Sequence, residues 1–539
     1  MRSCCINTGD ANVTKGYLAI VLHAHLPYVR HPEYDSFLEE RWFFEAMTET
    51  YLPLIKFFDQ MVKDRVPFRT TISVSPSLLA MMEDDLLQER YEAHLSGLIK
   101  LSKKEMDRTS GDPHLHELAD MYNTLFKEAR DIFAGKYKRK ISRAFLHYHK
   151  KGVVELITSS STHAILPFLS SQPKAVAAQI RNGLDYFERV FGFRPGGIWL
   201  PECAYSRDLD DILCKEGIMY FFIEARGIEN ADNSPFYGVH APIFTPSGIA
   251  AFGRDRASTK QVWSAREGYP GDPDYREFYR DIGYDLDLDY IHPYIAGDIR
   301  VDTGIKYHRI TGPTSWKEYY RPDTAKERAA QHAGDFLHKR VAHIEYLEST
   351  MEINPVVVAP FDAELFGHWW FEGPQWLDYV IRKAAYDQDV LELTTPTAYL
   401  NRHPVHQTAI PASSTWGHKG YFQTWINNKT EWIYPQLHEC AHRMEKLAMK
   451  NSKGRVAAIT KRALNQCMRE LLLAQSSDWP FIINSGTSVE YAERRVKDHV
   501  ARFHYLAKAI EKQELKEKFL SSIEQMDNIF PDVDYKLFV

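Results

Sequence analysis

The chain has 539 residues with 66 Lys and Arg against 72 Asp and Glu, a formal net charge of −6 with His neutral. This balance argues against nucleic acid or an anionic membrane surface as the main partner. The length suffices to bury a large core and fits a barrel with one or two attached domains.

The cysteines and the N-terminal residues indicate a compartment. The cysteines have neither a zinc-binding spacing nor the density of a disulfide framework, so we expect a reducing, cytoplasmic environment. Residues 1–15 are polar and lack the apolar segment of a signal peptide, so we expect a disordered N-terminal extension. No stretch reaches the apolar length of a membrane span. The cysteines are Cys4, Cys5, Cys203, Cys214, Cys440 and Cys467.

Seven short apolar runs predict buried strands of a parallel sheet. Helical or loop segments separate most of them, as right-handed crossovers between parallel strands require. We therefore predict an α/β fold with a catalytic barrel over residues 16–76 and 152–400. The count alone does not separate seven strands from eight. The runs are 16–22, 70–74, 153–158, 198–200, 219–223, 249–253 and 356–360.

Two long segments lack strand patterns and predict helical additions to the barrel. Residues 77–151 are charged and helix-rich, which predicts a helical insertion with a solvated face. From about Asn401 the apolar residues recur at helical spacing, which predicts a C-terminal helical domain over 401–539. Within the barrel, the apolar residues of 176–191 predict an amphipathic helix that ends at Gly192.

Polar side chains follow the predicted strands where each strand ends. The ends of parallel strands carry the chemistry in α/β proteins, so we expect a site there. His23 and His25 follow the first strand, Glu202 the fourth and Asp362 the seventh. Two strand-end carboxylates are what glycoside hydrolysis needs, one to attack the anomeric carbon and one to protonate the leaving oxygen. Each carboxylate alone is a weak signal, and a strand followed by a helix with a core Trp pair is the plain alternative for 356–370.

Several segments closely resemble motifs of glycoside hydrolase family 57, which includes α-amylases, 4-α-glucanotransferases and 1,4-α-glucan branching enzymes. The resemblance spans about residue 16 to the C-terminus, and the last segment resembles the branching-enzyme group. The segments are Leu22-His23-Ala24-His25-Leu26-Pro27-Tyr28, Trp199-Leu200-Pro201-Glu202, Gln261-Val262-Trp263-Ser264, Gly268-Tyr269-Pro270-Gly271, Ala359-Pro360-Phe361-Asp362-Ala363-Glu364-Leu365-Phe366-Gly367-His368-Trp369-Trp370 and Ser476-Ser477-Asp478-Trp479-Pro480-Phe481.

The resemblance implies a (β/α)7 barrel, a retaining mechanism and a set of site residues. Glu202 would be the nucleophile and Asp362 the proton donor and later base, with carboxyl groups about 5–5.5 Å apart. Six aromatic residues would be stacking walls, two or three of them in the core instead: Trp263, Tyr269, Trp369, Trp370, Trp416 and Trp479. The implied substrate-binding residues are His23, His25, His163, Arg254, Trp263, Gly271, His368, Trp369, Trp416, Asp478 and Thr487.

We predict that the chain acts on an α-1,4-glucan such as amylose or a glycogen-like polymer. The acceptor decides the reaction, because water gives an amylase, a 4-hydroxyl a glucanotransferase and a 6-hydroxyl a branching enzyme. The C-terminal motif favours branching. The loop from Asn233 to Ser247 looks short for a branching enzyme of this family, so we expect a hydrolytic side reaction. Tyr237 is its candidate functional tyrosine.

The sequence leaves open two alternative functions outside this class of enzymes. A metal-dependent deacetylase on a related barrel would use His23 and His25 with an Asp as ligands. No third ligand motif accompanies the two histidines, so we predict no catalytic metal and no cofactor. A catalytically silent glucan-binding protein is the other reading, and the presence of both Glu202 and Asp362 argues against it. The sequence does not indicate an oligomeric state.

Overall fold

The structure is a computed structural model that describes residues 14–264, 267–295 and 299–539. The predicted disordered extension lies, up to residue 13, outside the described residues. Among the described residues, no helix combines the length and the apolar character needed to cross a membrane.

The centre of the molecule is a parallel sheet whose strands are almost wholly buried. Its order is β6-β7-β5-β4-β3-β2-β1-β8, with β9 also paired to β1, and all neighbours are parallel except β6 and β7. All seven predicted strands are confirmed, and two short ones, β6 and β9, were not predicted. The strands are β1 (Gly16–Ala24), β2 (Thr70–Val74), β3 (Val154–Ser159), β4 (Gly197–Trp199), β5 (Tyr220–Ile223), β6 (Ile243–Phe244), β7 (Ala250–Gly253), β8 (Val356–Asp362) and β9 (Leu391–Leu393).

The seven predicted strands, all parallel, curl into a barrel that is open along one seam, and the predicted fold class is confirmed. Within the described residues no ladder joins β7 to β8, and the Asp255 N–H donates instead to the Val358 carbonyl at 2.8 Å. The continuous apolar runs arise because helices cover one face and barrel side chains fill the other. The carboxyl ends of β1, β3, β4 and β8 therefore open at one mouth.

Helices pack around the sheet and fill the segment between β2 and β3. In the barrel and the insertion they are α1 (Glu40–Ala46), α2 (Leu52–Lys63), α3 (Pro76–Glu83), α4 (Asp85–Arg108), α5 (Pro113–Arg130), α6 (Ser142–Lys150), α7 (Pro173–Phe191), α8 (Asp210–Lys215), α9 (Ala225–Glu229), α10 (Arg256–Trp263), α11 (Ile282–Asp285), α12 (Leu288–Ile291), α13 (Pro322–Glu348), α14 (Gly373–Tyr386) and α15 (Pro396–Arg402). The predicted amphipathic helix is α7, and Gly192 ends it with φ +81°, a conformation that glycine adopts without strain.

A π-helical turn separates α1 from α2. It spans Met47–Tyr51, and Pro53, the second residue of α2, has no N–H to donate to the helical turn before it. The helix type therefore changes immediately before Pro53. π turns inside α-helices occur frequently at functional sites.

The C-terminal part is helical, as the sequence pattern predicted. Its core helix is α17, which carries an uninterrupted buried run from Gln466 to Ala474 because other helices surround it. The domain limits proposed from the sequence stay predictions. The helices are α16 (Ile433–Lys450), α17 (Ala458–Ala474), α18 (Asp478–Ser485), α19 (Val489–Lys512) and α20 (Glu517–Met526).

Candidate active site

Neighbouring strands bring the sequence-predicted residues to one mouth. His23 on β1 is the register partner of Asp362 at the end of β8. His163 follows β3 and Glu202 follows β4, which pair with each other. Strand pairing therefore places the backbone of these four residues at the same end of the sheet.

The backbone is strained at two of these positions. His163 has φ +59° and Glu202 has φ +61°. Few residues other than glycine adopt this left-handed conformation, and it clusters at functional sites when the surrounding structure enforces it. Here the enforcement is visible, because the Glu202 carbonyl accepts from Thr415 Oγ1 and from the Trp416 N–H, both at 3.0 Å.

Two neutral donors from the C-terminal part bind the Glu202 carboxylate. Trp416 Nε1–H donates to Oε2 at 2.7 Å, and Ser477 Oγ–H donates to Oε1 at 3.0 Å. Burial raises the pKa of Glu202, and these two hydrogen bonds offset part of that rise because they favour the ionised form. Trp416 was a predicted site residue, whereas Ser477 carried no signal of its own.

Three histidine rings stack beside Glu202. The ring centroids of His25 and His163 are 3.7 Å apart, and those of His23 and His163 are 5.0 Å apart. Burial, with the nearby His25 adding to it, moves the pKa of His23 and of His163 well below the usual value, so both are neutral. Both nitrogens of each of these two rings are hydrogen-bonded within the protein, so the rings form a fixed wall beside Glu202.

His25 differs from the other two rings because it faces carboxylates. Its Nε2 lies 3.1 Å from both oxygens of Asp478, and its backbone N–H donates to Glu364 Oε1 at 3.1 Å. Burial lowers the pKa of His25, but the charge and hydrogen bond of Asp478 outweigh it and the net shift is upward. Tyr51 OH also donates to Glu364, which ties the π turn to the site.

Asp362 lies in a different electrostatic environment from Glu202. Burial raises its pKa well above the usual value, and the charges of Glu364 and Glu202 raise it further, while Arg254 opposes them. Arg254 itself pairs directly with Glu224, at 2.7 Å. The carboxylate in direct contact with Arg254 is therefore Glu224, and the guanidinium charge also acts on Asp362.

This contrast gives the two carboxyl groups distinct chemical capacities. Glu202 accepts two hydrogen bonds that favour its ionised form, which suits a nucleophile. Asp362 is buried among other carboxylates, which favours its protonated form and suits a general acid. Both pKa values are raised, that of Asp362 much more strongly, and carboxyl pairs whose pKa values are pushed apart are a recurrent basis for acid and base assignments.

Three of the six predicted stacking residues line the mouth and two lie in the core. The sixth, Tyr269, is half-buried, with its ring stacked on His332 and its OH donating to Asp335 at 2.7 Å. Trp369 is 57% exposed and stacks on Phe278, and Trp263 is 44% exposed with its ring 6.4 Å from that of Trp416. Trp370 and Trp479 lie in the core, within the two or three core residues expected among the six. Both are buried, Trp370 against other aromatic rings of the core and Trp479 with Nε1–H donating to the Leu473 carbonyl.

The remaining predicted residues lie around this cluster or away from it. His368 lies at the mouth beside Trp369, with Nδ1 2.8 Å from Glu49 Oε2. Gly271 ends a short turn whose described contact is its N–H to the Gly268 carbonyl. Thr487 is exposed beyond the far end of α18, where its described partner is Ser485. The described contacts therefore do not bring Gly271 or Thr487 into the cluster.

Comparison with known proteins identifies the family. The model described as "Glycosyl hydrolase family 57" matches residues 19–413. This chain belongs to glycosyl hydrolase family 57. The model described as "1,4-alpha-glucan branching enzyme, C-terminal" matches residues 436–538, the part that supplies Ser477 to the site.

Relatives within the family cover nearly the whole chain. The 1,4-alpha-glucan branching enzyme TK1436 of Thermococcus kodakarensis is 35% identical over 554 aligned positions, 96% of this chain and 78% of the relative. The crystal structure of the alpha-amylase AmyC from Thermotoga maritima is 45% identical with a TM-score of 0.91, covering 97% of this chain and 99% of that one. The branching enzyme of Pyrococcus horikoshii is 34% identical with a TM-score of 0.87, covering 98% and 97%.

Proposed function

We infer that this chain is a 1,4-α-glucan branching enzyme that cleaves an α-1,4 linkage and transfers the chain to a 6-hydroxyl. Its named branching-enzyme relatives and its match to the C-terminal model of those enzymes support this. The chemistry rests on Glu202, which is held by two neutral donors at the same mouth as the half-buried Asp362, whose pKa is raised.

The reaction proceeds in two displacements. Glu202 attacks the anomeric carbon while Asp362 gives its proton to the leaving glucan oxygen, which forms a glycosyl ester. Asp362, now ionised, takes the proton of an acceptor 6-hydroxyl as that oxygen attacks the ester carbon and releases Glu202. Each displacement inverts the anomeric carbon, so the α configuration is retained.

The polar cluster recognises the sugar that carries this ester. His25 is held between Ser75 at 2.9 Å and Asp478 at 3.1 Å, so both of its nitrogens are occupied and its ring fixes the Asp478 carboxylate. The Asp478 oxygens accept hydrogen bonds from hydroxyl groups of that sugar. Trp263, Trp369 and Trp416 offer flat faces for the sugar C–H surfaces on either side of the cleaved bond.

Hydrolysis is the second function that an observation favours. The solved structure that is 45% identical to this chain, with a TM-score of 0.91, is that of an alpha-amylase. The segment from Asn233 to Ser247 is short, and Phe236 at its tip is 82% exposed. Such a segment covers the ester incompletely, so water competes with the acceptor. A tenfold preference for transfer over water needs a barrier difference of only about 1.4 kcal/mol, so small changes at the mouth shift the ratio.

Product analysis on amylose tests the proposal. Proton NMR counts new α-1,6 linkages, and a reducing-end assay counts hydrolysis. We expect more new α-1,6 linkages than new reducing ends, with hydrolysis measurable. Reducing ends without any α-1,6 signal would make the chain an amylase, and a ladder of longer linear chains would make it a 4-α-glucanotransferase.

A further inference from the structure

A continuous chain of hydrogen bonds links the interior of the barrel to Glu202. Ser73 Oγ lies 3.2 Å from His23 Nδ1, and His23 Nε2 lies 2.9 Å from His163 Nε2. His163 Nδ1 lies 2.8 Å from Ser477 Oγ, which lies 3.0 Å from Glu202 Oε1. All four linking side chains are buried.

The ionised Glu202 carboxylate, the last acceptor, determines which atom carries the proton in each hydrogen bond of this chain. An ionised carboxylate only accepts, so the Ser477 hydroxyl proton points to Glu202. Ser477 Oγ must then accept from His163, which places that ring's proton on Nδ1. A neutral His163 accepts at Nε2, so His23 carries its proton on Nε2 and accepts at Nδ1 from Ser73.

We propose that Ser477 is a positioning residue for the nucleophile and that it terminates a polarised chain running Ser73, His23, His163, Ser477, Glu202. This rests on the proposed role of Glu202. Ser477 fixes one carboxylate oxygen and stabilises its charge, both before attack and when the ester breaks and the charge returns. The hydroxyl comes from the C-terminal part, so that part completes the nucleophile that the barrel carries.

Reversal of the chain is chemically possible only if Glu202 stops being an acceptor. Ser73 Oγ also lies 3.5 Å from the Thr158 carbonyl, so its proton has a second destination. When Ser73 donates to the Thr158 carbonyl, both histidines take the other tautomer and Ser477 donates to His163. Glu202 must then be protonated, because two lone pairs would otherwise face each other.

Neutron diffraction from perdeuterated protein locates the deuterium atoms in this hydrogen-bond chain without an activity measurement. In crystals at a pH above the acid limb of the rate profile, we expect deuterium on His163 Nδ1 and His23 Nε2, with the Ser477 deuteron directed at Glu202. Deuterium on His163 Nε2, with Ser477 directed at His163, would overturn the assignment.

Kinetics of two variants test the role. We expect Ser477→Ala and the nearly isosteric Ser477→Cys to lower kcat/KM about ten- to hundredfold, since a hydrogen bond to a charged group is lost. The acid limb should move to higher pH, because Glu202 must be ionised and has lost a donor that favours ionisation. Ser485→Ala, at the other end of α18, is the matched control and should change neither quantity. An unshifted acid limb in both Ser477 variants overturns the role, whereas an active Glu202→Gln variant would overturn the proposed function itself.

A second inference concerns a groove outside the catalytic mouth. It has a volume of about 490 Å³ and is lined by Trp316 and Tyr319 together with basic, imidazole and carboxylate side chains, among them Arg280 and His114. Trp316 is 68% exposed, so its ring presents a free face. Flat aromatic faces beside mixed donors and acceptors suit a sugar chain.

The loop that carries Trp316 is held in place and adjoins the mouth. Lys317 Nζ donates to the carbonyls of Ile310 and Gly312 and lies 3.2 Å from Glu277. The residue after Glu277 is Phe278, whose ring stacks on the mouth residue Trp369 at 4.7 Å. The loop that lines the groove is therefore tied through Glu277 to a segment whose next residue packs at the mouth.

We infer that this groove binds a segment of the α-1,4-glucan chain away from the bond that is cleaved. This deepens the proposed function by giving the polymer a second point of attachment. In a native gel that contains amylose, Trp316→Ala with Tyr319→Ala should reduce the retardation of the protein. The KM for amylose should rise several-fold, while kcat/KM for a maltooligosaccharide too short to span both sites stays unchanged.

The control for the groove is Tyr346→Ala, an equally exposed aromatic residue on α13. It should leave retardation unchanged. Equal retardation of the double variant and the wild type would overturn the groove as a glucan site. Because retardation needs no turnover, this outcome is separate from any failure of the proposed reaction.

Discussion

The cluster around Glu202 and the cluster around His499 contain the same kinds of buried side chain but balance their charges differently. In the C-terminal helices, His499 Nδ1 lies 2.6 Å from Glu470, and Arg502 pairs with Asp527 at 2.8 Å. Arg495 lies 3.7 Å from the same Asp527. Two carboxylates thus face two guanidinium groups around one histidine.

The active-site cluster lacks this compensation. In the described part of the chain, no lysine or arginine nitrogen lies within 4.0 Å of the Glu202 or Asp362 carboxylate, and the partners are neutral or histidine. Ionising a carboxyl group in a partly buried site without an adjacent opposite charge is costly, and both pKa values are raised. We interpret the unpaired carboxyl groups as serving the reaction and the paired ones as serving the fold.

The largest test of this distinction is Glu202→Gln. We expect activity on amylose to fall by about 10⁴-fold or more, because the covalent step is lost, while the fold survives. Azide should restore turnover and give a glycosyl azide of inverted configuration. Transglycosylation at a near wild-type rate would show that another residue attacks.

Asp362→Asn tests whether the buried acid opposes stability. We expect a loss of about 10²- to 10⁴-fold in kcat. The raised pKa of Asp362 means that its neutral form fits the fold, so its stabilisation is complete below the unfolded pKa and is lost as pH rises through the folded pKa. The Asn variant should therefore have a higher melting temperature than the wild type at pH 8, and the difference in melting temperature should shrink toward pH 4. A gap of equal size at both pH values would contradict this origin.

Arg502→Ala should have the opposite profile, with a stability loss and little kinetic effect. Removing one partner of a buried charge pair costs about 3–5 kcal/mol, so denaturant unfolding should begin at lower concentration. Burial also raises the pKa of Glu470 to about 7, and the charges of Arg502 and Arg495 oppose this rise. Loss of Arg502 should therefore raise the pKa of Glu470 further. A kcat below half of the wild-type value in fully folded protein would show that the two clusters are coupled.

Trp416→Phe is the smallest change, because it removes one donor and keeps a ring. We expect about a tenfold loss in kcat/KM and an acid limb displaced to higher pH, since the Nε1–H that favours ionised Glu202 is gone. Trp263→Phe is the matched control, because the indole of Trp263 has no described bond to Glu202. Identical pH profiles for both variants would contradict an electrostatic role of Trp416.

The barrel and the catalytic pair could be predicted because their signals are local. Runs such as Val356 to Val358 are apolar and β-branched, and the carboxylates follow them directly. β6 and β9, of two and three residues, have no period to detect; β4 is as short, but the Pro and the carboxylate directly behind it marked its end. Which of Trp369 and Trp370 lies in the core could not be predicted, because adjacent aromatic residues give no sign of which one faces inward.

The contributors from other elements could not be predicted for a physical reason. Ser477 acts only because α18 begins beside β4, and a serine next to an Asp-Trp motif has no distinguishing composition. Tyr51 and Glu49 reach the site from a π turn, whose hydrogen-bond shift does not follow from residue type. Long-range placement, rather than local pattern, decides these roles.

The π turn at Met47–Tyr51 also makes the length of this segment critical. Gly367 packs with φ +110° against the Glu49 carbonyl, where a Cβ atom would lie 1.7 Å away. Deleting one residue from the turn would replace its π hydrogen bonds with the regular α pattern. Glu49 and Tyr51 would then lose the spacing that lets them face His368 and Glu364. A one-residue deletion in this helical segment would therefore disturb the site from outside the catalytic motif.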